Sequence, residues 1–320
     1  MTQQRRPDGS LRHLLTLEGL TREELEALLE RAQHYARRAG EAAPRSQALA
    51  GVTVANMFTE PSTRTRVSFE LAAKRLGAEV VNLEVQLSSR VKGESMLDTI
   101  FTLQALHVDV FVLRDAEVGV PAMVAANVAP HVSVLSAGEA HVSHPTQGLL
   151  DALTVLQKKG RCDGLSIAIV GDIRHSRVAR SAYRAFTLLG ATDLRIVAPP
   201  ALMPEAHEFA GCARATDLAR GIAGCDVVMM LRIQKERFAD AAIPAGEEYF
   251  REYGLTAARL AAARPDAIVM HPQPMNRGVE IESAVADGPQ SVIRLQVANG
   301  VAVRMAVLEI LAAPLAARGR

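Results

Sequence analysis

The sequence has few cysteines and almost no net charge. Its three cysteines, Cys162, Cys212 and Cys225, are widely spaced, which excludes a disulfide framework and a paired CxxC metal motif. Thirty-six lysines and arginines against 35 aspartates and glutamates give a formal net charge of +1, so no global field attracts nucleic acid or an anionic membrane. Any anion-binding site must therefore be local.

The sequence also lacks a recognisable leader and, we expect, any apolar run that approaches the length needed to cross a bilayer. Its N-terminus, MTQQRRPDGS, has no apolar core of the kind found in signal peptides. These absences predict a cytoplasmic protein. Hydrophobic residues make up 49% of the chain and charged residues 22%, which is typical of an ordered globular protein, and 320 residues suit about two domains.

Apolar runs alternate between strand-like and helix-like patterns along the chain. Thr21 and Glu24 form a capping-box pattern at the start of an amphipathic helix. The predicted strands are GVTVANMF, AEVVNLEV, DVFVLR and VSVLSA and, after a helix near residues 145–158, LSIAIVG, DLRIVAP, DVVMMLR and DAIVMHP. Because helical patterns separate the strands, the sequence predicts an α/β protein with two parallel sheets flanked by helices. The last segment, VANGVAVRMAVLEILAAPLAARG, predicts a long apolar helix, and periodicity alone does not select the domain it packs on.

The turn EPSTRTR, residues 60–66, lies between a predicted strand and a predicted helix. A helix N-terminus presents unpaired N–H groups and the positive end of a dipole, so hydroxyl and guanidinium groups there suit a phosphate. The alternative is a serine or threonine N-cap with surface arginines. Two arginines in a first turn repel each other and oppose the dipole, which favours a bound anion. Glu60 either orients one of these arginines or forms a surface salt bridge.

Polar residues also follow later strands of the first series. Arg114 ends the strand DVFVLR, His144 begins the segment HPTQGLLD, and Gln147 lies one helical turn further on. A structural role is the alternative for each residue alone. Together with the STRTR turn, a cation and an imidazole could polarise a carbonyl group. In the loop SSRVKGES, Lys92 is either a mobile cation or a solvated side chain.

The second series carries its own cationic loop. GDIRHSRVARS has the single glycine Gly171 where a dinucleotide-binding protein would have GxGxxG, so pyrophosphate binding is not expected. Arg174, His175 and Arg177 in this loop instead suit a carboxylate. The alternative is ion pairing at the surface.

Two further segments end strands of the second series. Arg232 and Gln234 close one strand. Two arginines that each bind a carboxylate through two hydrogen bonds would select a dianionic small molecule. HPQPMNRGVEIE follows another strand, and its Gln273–Pro274 bond is a candidate cis peptide.

These motifs resemble the catalytic chain of the aspartate carbamoyltransferase family. STRTR with FELAAKRLG behind it, SSRVKGES, HPTQGLLDALT, GDIRHSR, LRIQKER and HPQPMNRGVEI occur in the order and spacing of that family, from about residue 12 onward. The ornithine enzymes of the same superfamily typically carry HCLP and SMG-type motifs, and this sequence has neither. The sequence departs from the family pattern in AGEAHVSHPTQ, where Glu139 replaces an aspartate and Ala140 a glycine. It also has Gln273 between the two prolines, where relatives often have a smaller or apolar residue.

The resemblance implies carbamoyl transfer from carbamoyl phosphate to L-aspartate, a step of pyrimidine biosynthesis, with no cofactor and no metal. The implied catalytic residues are Arg64, Thr65, Arg114, His144 and Lys92. The implied carbamoyl-phosphate-binding residues are Ser62, Thr63, Arg64, Thr65, Arg114, His144, Gln147 and, from an adjacent subunit, Ser88 and Lys92. The implied aspartate-binding residues are Lys92, Arg177, Arg232, Gln234, Gln273 and Pro274.

The resemblance also implies an architecture. Residues 1–144 are expected to form a carbamoyl-phosphate-binding domain on which the C-terminal helix, residues 297–320, packs, and residues 145–296 an aspartate-binding domain. A homotrimer with shared active sites is expected, and a larger assembly with regulatory or dihydroorotase-like chains is left open. Neither nucleic acid nor a membrane is expected as a partner.

Overall fold

The computed structural model describes residues 2–37, 40–84, 95–233 and 246–316. The chain forms two compact units, one of Met1–Leu150 with Ala298–Arg320 and the other of Asp151–Val297. Each unit contains a parallel sheet flanked by helices, which confirms the predicted fold class. No disulfide joins the three cysteines, all of which lie in the described ranges.

The first unit is built on a four-stranded sheet. Its strands are β1 (Thr53–Phe58), β2 (Glu79–Glu84), β3 (Val110–Asp115) and β4 (Ser133–Glu139), and their order in the sheet is β2-β1-β3-β4. The helices are α1 (Arg22–Tyr35), α2 (Thr63–Arg75), α3 (Met96–Ala105) and α4 (Val120–Asn127). All neighbouring strands are parallel, and the middle of the sheet is buried, as expected for a parallel sheet with both faces covered.

The helix α5 (Pro145–Lys159) carries the chain into the second unit. The strands there are β5 (Ser166–Val170), β6 (Asp193–Val197), β7 (Ala213–Ala215), β8 (Val227–Met230) and β9 (Ile268–Met270), in the order β7-β6-β5-β8-β9. The helices are α6 (Arg177–Leu188), α7 (Leu218–Ile222), α8 (Gly246–Tyr253), α9 (Ala257–Leu260) and α10 (Ser283–Ala286). The edge strand β7 has three exposed or half-buried residues, so no buried apolar run marks it in the sequence.

The C-terminal helix, α11 (Ile293–Ala316), returns the chain to the first unit and begins four residues earlier than expected. Its Glu309 accepts hydrogen bonds from Arg31 and, at 2.9 Å, from the Tyr35 hydroxyl, both on α1. Arg6 and Ser133 donate to the carbonyl of Leu311 at 2.7 and 3.2 Å. The prediction that this helix packs on the first unit is therefore confirmed.

The same helix corrects one expectation from the sequence. Its segment Ile293–Leu315 is long and apolar enough to cross a membrane by length and composition, so apolar runs of that length are not absent. However, 67% of the most apolar window is buried inside the protein. A core helix that is buried on most sides needs apolar residues around most of its circumference, which accounts for the composition.

Each sheet reverses its strand order at one point. In the first unit the chain proceeds from β1 to β2 on one side and resumes with β3 on the other, and in the second unit β5 and β8 have the same relation. At the carboxyl ends of these pairs, Phe58 lies beside Arg114 and Val170 beside Met230. Ligands of open parallel sheets bind at such points, so the loops after these four strands are where a site is expected.

Candidate active site

The start of α2 in the first unit has no side-chain cap. Ser62 occupies the N-cap position with φ −156° and ψ 77°, and its hydroxyl makes no capping hydrogen bond. No acidic residue lies in the first turn. At the start of α1, by contrast, Thr21 and Glu24 form the predicted capping box. The Ser62 hydroxyl therefore does not act as an N-cap, which was the alternative for the STRTR turn. The N–H groups at this helix end can bind an anion.

The other predicted residues of this turn line its first helical turn. Thr63 and Arg64 are exposed, Thr65 is half-buried, and Thr65 lies one turn before the buried Phe69. The carbonyl of Ser62 accepts the backbone N–H of Arg66 at 3.0 Å, so the turn is regular from its first residue. Ser62, Thr63, Arg64 and Thr65 thus occupy the N-cap and the first turn of α2.

Arg114 is the last residue but one of β3, beside this turn, and is held in place by its neighbours. Its Nε donates to Glu60 Oε2 at 3.2 Å, and its Nη1 donates to the carbonyl of Ala137 at 3.4 Å. The backbone N–H of Thr59 donates to the carbonyl of Arg114 at 3.0 Å, which links the end of β3 to the loop after β1. The Arg114 side chain is only 14% exposed. Glu60 therefore orients the arginine of the neighbouring strand, a partner that sequence reasoning did not identify.

His144 and Gln147 lie at the start of α5 and are 4% and 7% exposed. The backbone N–H of Gln147 donates to the carbonyl of His144 at 2.9 Å, which fixes the first turn of the helix. Two further hydroxyls of the same segment, on Ser143 and Thr146, are buried and have no hydrogen-bond partner among the described residues. Buried hydroxyls without partners are costly, so this segment is suited to a polar ligand.

The turn before His144 departs from the family pattern but keeps the conformation a glycine would provide. Ala140 has φ +40°, in the left-handed region, and its N–H donates to the carbonyl of Asp115 at 2.8 Å. Glu139 accepts the N–H of Gly119 at 2.6 Å and pairs through its backbone with Ser143. The departure thus places strain in the backbone and leaves the turn intact.

In the second unit, Gly171 allows two loops to approach closely. It follows β5 with φ +129°, and a Cβ there would lie 3.1 Å from the carbonyl oxygen of Leu231, which follows β8. The N–H of Leu231 donates to the carbonyl of Val170 at 2.7 Å. This contact brings the GDIRHSR loop next to Arg232, although the two segments are about sixty residues apart in the sequence.

The cationic residues of the GDIRHSR loop have different surroundings. Arg174 forms an exposed ion pair with Glu205 at 3.4 Å, which is the surface alternative. His175 is bonded to the buried Asp172 at 2.9 Å. Arg177 is the first residue of α6 and is half-buried. Of these three predicted cations, Arg177 is therefore the one that lies within the first turn of a helix.

Arg232 follows β8 and is half-buried. Its Nε is buried, and none of the residues that the structure describes accepts a hydrogen bond from it. A buried guanidinium N–H without an acceptor is a place where a carboxylate would bind. Gln234, predicted to act beside it, lies outside the described residues, as do Ser88 and Lys92.

A buried network holds the loop HPQPMNRGVE. The Gln273–Pro274 bond is cis, as predicted. The N–H of Gln273 donates to His271 Nδ1 at 2.9 Å, so Nδ1 is the acceptor and Nε2 carries the proton that faces Glu280 Oε1 at 3.1 Å. Glu280 also accepts the backbone N–H of Asn276. His271 and Glu280 are fully buried. Sequence reasoning missed both, although a histidine directly after a buried strand and a glutamate inside an apolar run are recognisable signals.

Tyr249 lies near two acidic groups of this unit, Glu280 and Asp172. Burial, and then the negative charges of Glu280 and Asp172, raise the pKa of the Tyr249 hydroxyl well above its usual value. Its ring stacks on Tyr253 with the ring centroids 5.4 Å apart. Tyr249 therefore stays protonated and is a packing residue between the two polar loops.

Comparisons with known proteins agree with this arrangement. The model of the carbamoyl-P binding domain of aspartate/ornithine carbamoyltransferase matches residues 12–157, and the model of the Asp/Orn binding domain matches residues 163–311. The structure of aspartate transcarbamoylase from Trypanosoma cruzi in complex with carbamoyl phosphate is 32% identical and covers 94% of this chain and 95% of that chain, with a TM-score of 0.83.

Two more structures show the range of relatives. The Trypanosoma cruzi aspartate transcarbamoylase in complex with carbamoyl phosphate and aspartate is 33% identical over 94% of this chain and 96% of that chain, with a TM-score of 0.83. Ornithine carbamoyltransferase from Pyrococcus furiosus is 30% identical over 94% of this chain and 96% of that chain, with a TM-score of 0.81. The chain therefore belongs to the aspartate/ornithine carbamoyltransferase family.

Proposed function

We propose that this carbamoyltransferase uses L-aspartate as the acceptor and produces N-carbamoyl-L-aspartate and phosphate, a step of pyrimidine biosynthesis. The observation that supports aspartate is Arg232, a half-buried arginine with a buried Nε that lacks an acceptor among the described residues. A guanidinium group in that position stabilises a carboxylate. It would repel the second ammonium group of ornithine.

The first unit is proposed to bind carbamoyl phosphate. The phosphate group of carbamoyl phosphate would accept hydrogen bonds from the backbone N–H groups in the first turn of α2. It would also accept hydrogen bonds from the side chains of Ser62, Thr63, Arg64 and Thr65. The uncapped helix end and the dipole of α2 favour a dianion there. Gln147 is proposed to bind the carbamoyl amide.

The reaction begins when the uncharged amine of L-aspartate attacks the carbamoyl carbon. A carbon–nitrogen bond forms, and negative charge develops on the carbamoyl oxygen. Arg114, which Glu60 holds in place, would stabilise that charge. His144 and Thr65 would stabilise it as well. The intermediate then breaks its carbon–oxygen bond to phosphate, and the departing phosphate accepts the proton that the amine loses. Catalysis in this scheme comes from positioning and charge stabilisation.

The second unit is proposed to bind L-aspartate. Arg177, Arg232 and Gln234 would bind its carboxylates, and the backbone around Gln273 and Pro274 would contact the carbamoyl amide. The network of His271 and Glu280 supports the second role, because it bonds directly to the N–H of Gln273.

Initial rates with L-aspartate and L-ornithine, measured side by side at saturating carbamoyl phosphate, test the choice of acceptor. We expect transfer to L-aspartate and at most a trace with L-ornithine. A preference for L-ornithine would show that the chain is an ornithine carbamoyltransferase, the activity for which the Pyrococcus furiosus relative is named. Activity with neither amino acid would favour a subunit that serves only assembly.

A homotrimer with shared active sites is part of the proposal. Val67 and Leu71 on α2 and Val81 on β2 are 44%, 39% and 38% exposed, and β2 is an edge strand. Exposed apolar side chains beside a sheet edge suit contact with another subunit. Ser88 and Lys92 follow β2 in the sequence, and we place them in a neighbouring subunit's site. Regulatory or dihydroorotase-like partners remain part of the same hypothesis.

Subunit mixing tests the shared site. Lys92→Ala and Arg64→Ala chains should each be nearly inactive alone. If Lys92 acts in the neighbour's site, mixed trimers will contain some sites with both native residues, and activity will return. Mixtures that stay as inactive as the separate variants would contradict sharing, and chromatography with light scattering would show whether trimers form at all.

A further inference from the structure

One arginine of the first unit is buried and has no carboxylate partner among the described residues. Arg304, on α11, is 4% exposed. Its Nη1 donates to the carbonyl of Gly300 at 2.9 Å, and its guanidinium carbon lies 4.8 Å from the centroid of the Phe69 ring on α2. Its Nε has no hydrogen-bond partner, and across residues 2–37, 40–84, 95–233 and 246–316 no carboxylate pairs with it. Arg304 is therefore a buried cation held by a carbonyl and an aromatic ring.

Such a cation is expensive for the fold. Removal of a guanidinium from water is repaid only in part by one hydrogen bond and a cation–π contact. Burial, and then the positive charge of Arg114, lower the pKa of the Arg304 guanidinium to about 9, so it still carries its charge at neutral pH. The charge thus reduces the stability of the unit unless something else compensates for it.

The surrounding residues leave room for the guanidinium group. A Cβ on Gly300 would lie 2.6 Å from Arg304 Nη1, so glycine at that position is required for the observed side-chain placement. In a helix interior, glycine is less favourable than alanine. The helix therefore accepts a weaker residue at Gly300 together with a buried charge at Arg304.

The position of Arg304 relates it to the start of α2. Phe69, under the guanidinium, lies four residues after Thr65 on α2, and residues with this spacing share a helix face. Arg114, whose charge acts on Arg304, lies near the end of the strand beside the same turn. The buried charge therefore packs on the second turn of α2, on the helix face that also carries Thr65, in a region of low dielectric where its field is weakly screened.

We propose that Arg304 is a positioning residue of the phosphate site, whose buried charge stabilises a dianion bound at the start of α2 without contact with it. This inference rests on the proposed function of the first unit. A bound dianion supplies the compensating negative charge that the described residues lack, so the ligand and the buried arginine stabilise each other. The chemical class of ligand is a phosphate dianion.

The test is inorganic phosphate binding to the full-length protein, measured by calorimetry. Arg304→Met keeps the length and removes the charge, and Arg304→Lys keeps the charge. Arg31→Met is the matched control, because Arg31 pairs with Glu309 of the same helix from a more exposed position. We expect phosphate affinity to fall at least about tenfold in Arg304→Met, and to stay within about threefold of wild type in Arg304→Lys and Arg31→Met.

Two further readouts separate this role from a structural one. The KM for L-aspartate at saturating carbamoyl phosphate should change less than about twofold in Arg304→Met. The midpoint of thermal unfolding without phosphate should be equal or higher in that variant, because a buried charge has been removed, whereas the increase caused by phosphate should shrink. A purely structural arginine would give a lower midpoint and unchanged phosphate affinity.

The outcomes that overturn the proposal are distinct. Wild-type phosphate affinity in folded Arg304→Met would overturn the proposed role of the Arg304 charge. A loss of phosphate affinity in Arg304→Lys as large as that in Arg304→Met would do the same. Neither result would contradict the proposed function. If Arg304→Met does not fold, Gly300→Ala decides, since it displaces the guanidinium without removing it and should weaken phosphate binding at least about threefold; unchanged affinity overturns the proposal. A wild-type protein that binds no phosphate would overturn the proposed function as well.

Discussion

The two units place the same kinds of residue at the same point of their sheets and use them differently. In each unit, a strand beside the point where the strand order reverses leads to a helix with a serine at its N-cap, Ser62 in the first unit and Ser176 in the second. An arginine lies at the end of the strand on the other side of that point, Arg114 near the end of β3 and Arg232 after β8. Ser176 caps its helix through the N–H of Ala179 at 3.0 Å, whereas Ser62 makes no capping bond. Arg114 is bonded to Glu60, whereas the Nε of Arg232 has no partner among the described residues.

This difference indicates two ways to bind an anion. In the first unit the helix end is left for the ligand, so backbone N–H groups and the dipole can bind it, and the arginine is fixed in advance. In the second unit Ser176 already accepts one N–H group of the helix end, which favours binding by arginine side chains. A phosphate has enough oxygens to accept several N–H groups at once, whereas a carboxylate matches the planar fork of a guanidinium.

The largest effect is expected at the fixed arginine of the first unit. Arg114→Ala removes a cation that is 14% exposed and oriented by Glu60, and turnover should fall by about a hundredfold or more. Steady-state kinetics with both substrates saturating would measure it. Glu60→Gln, which weakens only the orientation, should have a smaller effect. Near-normal turnover in a folded Arg114→Ala protein would remove this arginine from the mechanism.

The arginine of the second unit should act on the acceptor instead. Arg232→Gln removes the charge but keeps a polar side chain, and the KM for L-aspartate should rise by about tenfold or more while phosphate affinity is unchanged. Arg174→Gln is the matched control, because Arg174 lies in an exposed ion pair, and it should change the KM little. If both variants behave alike, the proposed contrast between the two units is wrong.

The two serines allow the comparison to be tested with one substitution made twice. Ser176→Ala should lower the free energy of unfolding by about 1 kcal/mol, because it removes an N-cap, and should leave phosphate affinity intact. Ser62→Ala removes no cap, so stability should change by less than about 0.5 kcal/mol while phosphate affinity falls by about tenfold. Denaturant titration and calorimetry measure the two quantities. The opposite pattern would mean that Ser62 serves the fold.

The smallest effect concerns the turn before His144. Ala140→Gly relieves an alanine at φ +40°, which costs about 1–2 kcal/mol in the left-handed region, but it also increases the backbone entropy of the unfolded chain. A net gain of up to about 1 kcal/mol in unfolding free energy is therefore expected, with turnover unchanged. Lower stability in Ala140→Gly would show that the turn depends on the alanine side chain.

Much of the fold could be predicted from the sequence because its signals are local. The capping box of Thr21 and Glu24, the buried strands and the helix stop near Gly77, at φ +84°, depend on neighbours along the chain. The strand β7 was missed because its residues, ARA, are exposed or half-buried, whereas the equally short β9, IVM, is fully buried and apolar. The length of the apolar segment in α11 was misjudged, because its apolar content serves core packing against the first unit.

The candidate site was predicted less completely, since its support comes from distant parts of the chain. Glu60 and Arg114 are 54 positions apart and are paired only because β1 and β3 are neighbours in the sheet. The His271 and Glu280 pair depends on how one loop folds over β9. The partner of a charged side chain is a property of tertiary contacts, so no local pattern identifies it.

The sequence by itself determined the alternation of strands and helices, the order of the motifs and the kinds of groups available for anions, because these follow from local propensity and residue chemistry. The tertiary structure alone decided which serine caps its helix, which arginine is paired and which remains without an acceptor in the described chain. It also buried Arg304 against Phe69 of α2. The reason is physical: burial and pairing set the free energy of a charge, and both depend on neighbours that are remote in the sequence.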